Sequence, residues 1–310
     1  MIAPDGSPGP GAARVCARHV IKFGLHFANL TFPDPAAAHR VARAAEAAGF
    51  ESLITVEHVV WPTRYASRYP YAPDGRLPGG PGTALPDPLI WMAHVAAATT
   101  RLRLITGVLV VPQRNPLVLA KQVATLDHLS GGRVSLGIGV GWLREEFDAL
   151  GVPFERRGAR TDEYVAAMRA LWAGDDASFR GSFVGFEGMS SNPKPVHGAV
   201  PILVGGHSEA AARRAGRLGD GFLPATGWAG PVEPLIALMR RAAAEAGRDP
   251  DRIEVTTGCP GALGDDPVGA VEACRARGAQ RVLVPSAAFL PDPEARLAAF
   301  GERVIRRTRA

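Results

Sequence analysis

Cysteine is scarce in this chain. Three occur in 310 residues, Cys16, Cys259 and Cys274, far apart and without a CxxC pair. That spacing offers neither a disulfide framework nor a zinc site, so they read as ordinary thiols and no metal is expected. Aromatic residues make up only 7%, and no apolar run approaches the ~18 residues of a membrane span. The first 19 residues (MIAPDGSPGPGAARVCARH) lack the apolar stretch of a secretory signal, so a soluble, cytoplasmic protein with no membrane partner is expected. Charges of one sign form no run of five: 35 Lys and Arg face 30 Asp and Glu, a net +5. Nucleic acid therefore has no electrostatic footprint here, whereas an anionic small molecule suits the balance.

What the chain does have is turns and core. With 36 glycines, 27 prolines and 46% hydrophobic residues, it is too turn-rich for a coiled coil and apolar enough to bury a substantial interior. After a Pro/Gly-rich start, eight apolar runs of strand length alternate with Ala/Leu-rich stretches of helical length. The runs are 20–27, 52–56, 103–110, 133–140, 200–204, 221–225, 253–258 and 281–285. Helix ends carry local signals: Asp34 and Pro35 open one that Gly49 closes, and Asn115-Pro116 opens another that ends at Ser130-Gly131-Gly132. Further helices are expected at 87–99, 143–172 in two pieces, 208–218, 232–246, 266–277 and 292–306.

Eight β-then-α units with strands apolar on both faces imply a closed parallel (β/α)8 TIM barrel. The expected layout is a flexible extension at 1–19 and a single barrel domain at 20–310. Two insertions interrupt it: 61–86, rich in Tyr, Pro and Gly, is a lid candidate, and 175–199 reads as a hairpin with a Pro-rich return.

Active sites of such barrels lie at the C-terminal strand ends, which selects a few residues. Glu57 and His58 follow the second strand, and strand parity turns adjacent side chains to opposite faces, so one of the two is expected in the mouth. His58 is the stronger candidate, against a structural histidine bonded to the lid; His26 ends the first strand. Gly205-Gly206-His207-Ser208 leads from a strand into an Ala-rich helix, which fits either an anion site or a plain turn with Ser208 as N-cap. Gly137, Gly139 and Gly141 precede Trp142 rather than completing a GxGxxG fingerprint, which argues against a Rossmann dehydrogenase. Their bareness allows a flat ring to approach, with Trp142 as a wall, or simply close packing. Arg114 is read as a grip on an anionic tail or a surface charge. Trp61, Tyr65, Tyr69 and Tyr71 are a substrate wall or a dimer contact.

The segments TGVLVVPQRNP (106–116), LSGGRVSLGIGVGW (129–142) and PILVGGHSEAAARRAGRLGDGF (201–222) resemble the luciferase-like monooxygenase superfamily. More narrowly they resemble its coenzyme F420-dependent oxidoreductase branch. The resemblance runs from Lys22 to Ser286 and implies a flavin or 5-deazaflavin stacked in the barrel mouth. It also implies a non-proline cis peptide at Gly107-Val108 behind the ring, and ribityl and phosphate contacts at Gly139, Gly141, Gly205, Gly206 and Ser208 with His207 between them. A strand-end histidine matching His58, beside Glu57, would handle the proton.

The leading expectation is thus hydride transfer between the C5 of F420 and a small organic substrate, with His58 as proton partner. The alternative is an FMN-dependent monooxygenase using reduced flavin and oxygen; a non-catalytic cofactor-binding barrel is a third reading. Family likeness further implies a homodimer and a flavin or F420 reductase as supplier. A pI near 9.5 tilts toward F420, whose oligoglutamate tail is the longer anion.

Overall fold

The computed structural model describes residues 20–225 and 230–309; the extension expected at 1–19 lies outside them. The parallel strands are β1 (Lys22–His26), β2 (Ser52–Thr55), β3 (Arg103–Thr106), β4 (Leu109–Val110), β5 (Val134–Gly139), β8 (Ile202–Gly205), β9 (Gly221–Leu223), β10 (Glu254–Gly258) and β11 (Arg281–Pro285). Their order is β3-β2-β1-β11-β10-β9-β8-β5-β4, and pairing of β3 with β5 closes the ring. β4 continues β3 beyond a cis peptide at Gly107-Val108, so the barrel has eight walls. Each expected strand lies within about two residues of an observed one, and the expected 103–110 run is the one interrupted.

Helices cover the outside because their apolar residues recur on one stripe. In α2 (Pro35–Ala48), Ala38, Val41, Ala42 and Ala45 are buried, Asp34 accepts from the Ala37 amide at 2.8 Å, and Gly49 exits at φ 94°. In α4 (Pro116–Ser130), Asn115 caps the Leu117 and Val118 amides and Gly131 exits at φ 69°. The expected 143–172 pair is α5 (Arg144–Ala149) and α6 (Arg157–Ala173), and α7 (Glu209–Leu218) follows β8. The helix expected over 292–306 differs: its α form, α10 (Pro293–Phe300), gives way to a π turn over Gly301–Ile305. Insertion 175–199 holds the expected hairpin, Ala177–Arg180 against Gly185–Met189, while 61–86 contains no helix or strand.

Inside the ring, Ile54, Ile105, Leu203, Leu223 and Leu283 form an aliphatic plug with Val108 packed on it. This plug closes the barrel below its mouth and gives the upper end an apolar floor. No helix among the described residues is long and apolar enough to cross a membrane.

Candidate active site

The floor is centred on Val108. A Cβ at Gly139 would come within 2.6 Å of the Val108 side chain, and one at Gly205 would overlap it. Glycine on the two neighbouring strands is therefore what lets Val108 lie inward. The other expected ring glycines serve the protein itself. A Cβ at Gly137 would collide with the Thr106 carbonyl, and Gly141, at φ 80°, packs on Phe147 and Val110. At the edge of the floor, His26 Nε2 lies 3.5 Å from the Gly107 carbonyl, with its ring stacked on Phe27. Burial, only partly opposed by that carbonyl, pushes the His26 imidazole down to about 4, so it is neutral at pH 7.

Glu57 and His58 part company. The Glu57 carboxylate turns into the wall, where it accepts from the Val110 amide at 2.6 Å and pairs with Arg114, which also reaches Asp87 at 2.8 Å. The reading of Arg114 as a solvated surface charge is thereby corrected: its guanidinium is largely buried and engaged by Glu57 and Asp87. Glu57, named with His58 as a catalytic candidate, is likewise committed to holding the β4 end in place.

His58 instead faces the mouth, between Trp61 and Trp142 at 5.7 and 6.0 Å between ring centroids. Its Nδ1 lies 3.1 Å from Glu146 Oε2, while the other Glu146 oxygen accepts from the Val59 amide at 2.6 Å and the Val60 amide at 3.3 Å. Burial works against the Glu146 anion, yet the His58 bond and the Val59 amide help to outweigh it and hold the carboxyl below the usual range. The pair fixes the tautomer: Nδ1–H donates to Glu146, and Nε2 has no protein partner among the described residues. Glu146 was not singled out from the sequence. Its signal was an acidic pair, Glu145-Glu146, just past the Trp142 strand end.

The 61–86 insertion folds onto this mouth. Tyr65 and Tyr69 pack on Trp142 at 6.0 and 5.2 Å, and Glu145 ties the loop down through the Ala66 and Ser67 amides. Burial, with Tyr71 beside it, pushes the Tyr69 phenol up to about 12. Trp61, Tyr65, Tyr69 and Tyr71 thus pack among themselves and on His58 and Trp142 within one chain.

The 205–208 turn is partly spoken for. The Gly206 amide donates to the Leu223 carbonyl at 3.2 Å, Ser208 caps the Ala211 amide at 3.2 Å, and His207 Nδ1 donates to the Ala225 carbonyl at 2.6 Å. The Tyr71 hydroxyl stands beside this turn, 3.8 Å from where a Cβ at Gly206 would lie. The first-turn amides of α7 at Ser208, Glu209 and Ala210 meet no acceptor among the described residues, and they keep the electropositive character of a helix start. A surface cavity of about 480 Å³ lies elsewhere, between α2 and α10; it has an alanine floor, and some of its charges pair with one another, as Arg40 does with Glu294 at 3.2 Å.

An apolar floor, an oriented histidine and free helix-start amides suit a flat redox cofactor with a phosphate, and comparison with known proteins agrees. Residues 12–304 match the family described as luciferase-like monooxygenase. An F420-dependent glucose-6-phosphate dehydrogenase of Mycolicibacterium gilvum is 37% identical over 180 residues, covering 56% of this chain and 53% of that protein. An FMNH(2)-dependent dimethylsulfone monooxygenase of Pseudomonas fluorescens is 34% identical over 187 residues, 59% of this chain and 46% of that one. In fold, the chain is similar to the coenzyme F420-dependent tetrahydromethanopterin reductase of Methanopyrus kandleri, with TM-score 0.74 over 93% of this chain and 99% of that one at 19% identity. The barrel, its plugged floor and this match over nearly the whole length lead to one conclusion: the chain belongs to the luciferase-like monooxygenase family.

Proposed function

We propose that this chain is an F420-dependent oxidoreductase acting on a small organic substrate, with His58 as the proton partner. The observation that carries the reading is the His58–Glu146 pair at the rim of a mouth floored by Val108. A bound deazaflavin would supply a hydride donor or acceptor over that floor. Val108 offers the ring an apolar contact, and the amides of Ser208, Glu209 and Ala210 suit its phosphate. His58, held through Nδ1, keeps Nε2 free to take a proton from an alcohol or, once protonated, to give one to a carbonyl oxygen. The Glu146 anion stabilises the imidazolium in either direction. His26, neutral at pH 7, is suited to shaping the ring edge rather than to acid catalysis. Trp61, Tyr65, Tyr69 and Trp142 keep water away from the reacting carbon.

Equilibrium binding of F420 and of FMN to the purified protein tests this reading, followed by anaerobic consumption of reduced F420 with candidate enones or ketones. F420 binding with substrate-dependent oxidation is the expected result. Tight FMN binding without F420 binding would overturn it in favour of an FMN-dependent monooxygenase. Binding with no activity that His58→Ala changes would favour a non-catalytic barrel.

A further inference from the structure

Arginine in the first turn of a helix is electrostatically misplaced, because the helix start is already positive. Yet α6 opens with Arg156 at its cap, at φ 56°, followed by Arg157 and Arg160. Among the described residues none of the three pairs with a carboxylate; the nearby Glu155, exposed, bridges to Arg144 at 2.8 Å. Aromatic rings support the cluster instead. The Arg157 and Arg144 guanidiniums stack on Phe154 at 3.8 and 4.3 Å, and those of Arg156 and Arg160 on Phe183 at 4.7 and 5.0 Å. Four cations thus share two rings, with Glu155 bridged to Arg144 and the Glu163 carboxylate, engaged by the 182–184 amides, near Arg156; positive charge remains in surplus and held in fixed orientation. Burial and the Arg144 charge both work against the Arg157 cation, which an incoming anion would relieve.

The cluster also stands at the rim of the mouth. Arg157 Nε donates to the Gly141 carbonyl at 3.0 Å, one residue before Trp142. Gly158 lies against Arg214 of α7, the helix whose first-turn amides meet no acceptor among the described residues. The surplus charge therefore adjoins the strand end that leads to Trp142 and, through Gly158, the flank of α7. A cofactor ending at one phosphate has no use for it.

We propose that Arg157, flanked by Arg144 and Arg156, forms a rim subsite for the carboxylates of a flexible polyanionic chain leaving the mouth, namely the oligoglutamate tail of F420. The proposal rests on the F420 reading above. Arg160, buried and bonded to the Pro153 carbonyl, supports the site from behind.

The test is fluorescence or calorimetric titration of the full chain at low salt with two forms of F420, one bearing several glutamates and one ending at lactate. The wild type is expected to bind the long form about tenfold more tightly. R157Q should remove most of that advantage and leave affinity for the short form unchanged. E155Q, at an exposed site, should widen it by freeing Arg144. Should R157Q fold poorly, R144Q, at a half-exposed site, provides the same readout. Equal wild-type affinity for both forms, or equal weakening of both by R157Q, overturns the subsite and leaves the cofactor reading standing. Failure to bind either form overturns both.

Discussion

The two ends of the barrel treat charge in opposite ways. At the N-terminal strand ends, Arg281 is almost wholly buried between Glu51, at 2.9 and 3.0 Å, and Glu254; Lys22 joins Glu254, and Arg103 approaches Glu51 at 3.9 Å. Each cation there has its anion, and although burial disfavours the Glu51 carboxylate, Arg281 holds it below the usual range. At the C-terminal ends the matching among the described residues is incomplete: His58 keeps one nitrogen unpaired, the first-turn amides of α7 meet no acceptor, and Arg156, Arg157 and Arg160 lack carboxylate partners. A closed network at one end resists unfolding, and an open one at the other leaves interactions for a ligand to complete.

The comparison breaks most sharply at Arg281. Arg281→Ala strands two partly buried carboxylates and is expected to cost about 3–5 kcal/mol of stability, read as the denaturant midpoint, while the folded fraction keeps its cofactor affinity. A loss below about 1 kcal/mol would mean that water already screens the network. At the other end, His58→Ala is expected to lower turnover about 100-fold or more with cofactor affinity and unfolding midpoint nearly unchanged. Glu146→Gln should lower it less and shift the pH–rate profile. Parallel losses of stability and turnover would instead make His58 a structural histidine.

Acid sharpens the contrast with a smaller effect. Because the folded-state pKa of His26 is depressed to about 4, the unfolded chain binds that proton first. Its contribution is full above pH 6.5 and is lost as pH falls toward 4, a change of about 3 kcal/mol. Burial, the largest single effect on Glu145, raises its pKa, but Ser67 and the loop amides together hold it down to about 2, so it contributes above the usual carboxylate pKa and loses its hold on the 61–86 loop as pH falls toward 2. His26→Asn should flatten the slope between pH 6.5 and 4 in pH-dependent denaturation; an unchanged slope would assign it to other groups. The smallest effect belongs to Tyr71→Phe, which removes the hydroxyl standing beside Gly206. Binding of a phosphate-bearing cofactor is expected to change by no more than about threefold, and a larger loss would show that the hydroxyl helps to hold the phosphate.

Legibility in the sequence followed the range of each interaction. Asp34, Asn115 and Ser208 were readable as caps because a cap bonds an amide two or three residues on. The Gly107-Val108 cis bond followed from family resemblance rather than from any local signal. The Gly137-Gly139-Gly141 run was legible as close approach, but its occupants, Thr106, Val108, Phe147 and Val110, belong to the chain itself. Arg114 was misread because its partners, Glu57 and Asp87, lie 57 and 27 residues away.

The amino-acid order by itself determined the eight alternating units, their caps and the strand ends where chemistry is sought, because periodicity and capping act within a few residues. Only the closed barrel decided that Glu57 turns into the wall, that His58 meets Glu146 across 88 positions, and that the lid tyrosines come to rest on the mouth. Those pairings depend on which strand ends become neighbours when the ring closes, and no local pattern encodes that.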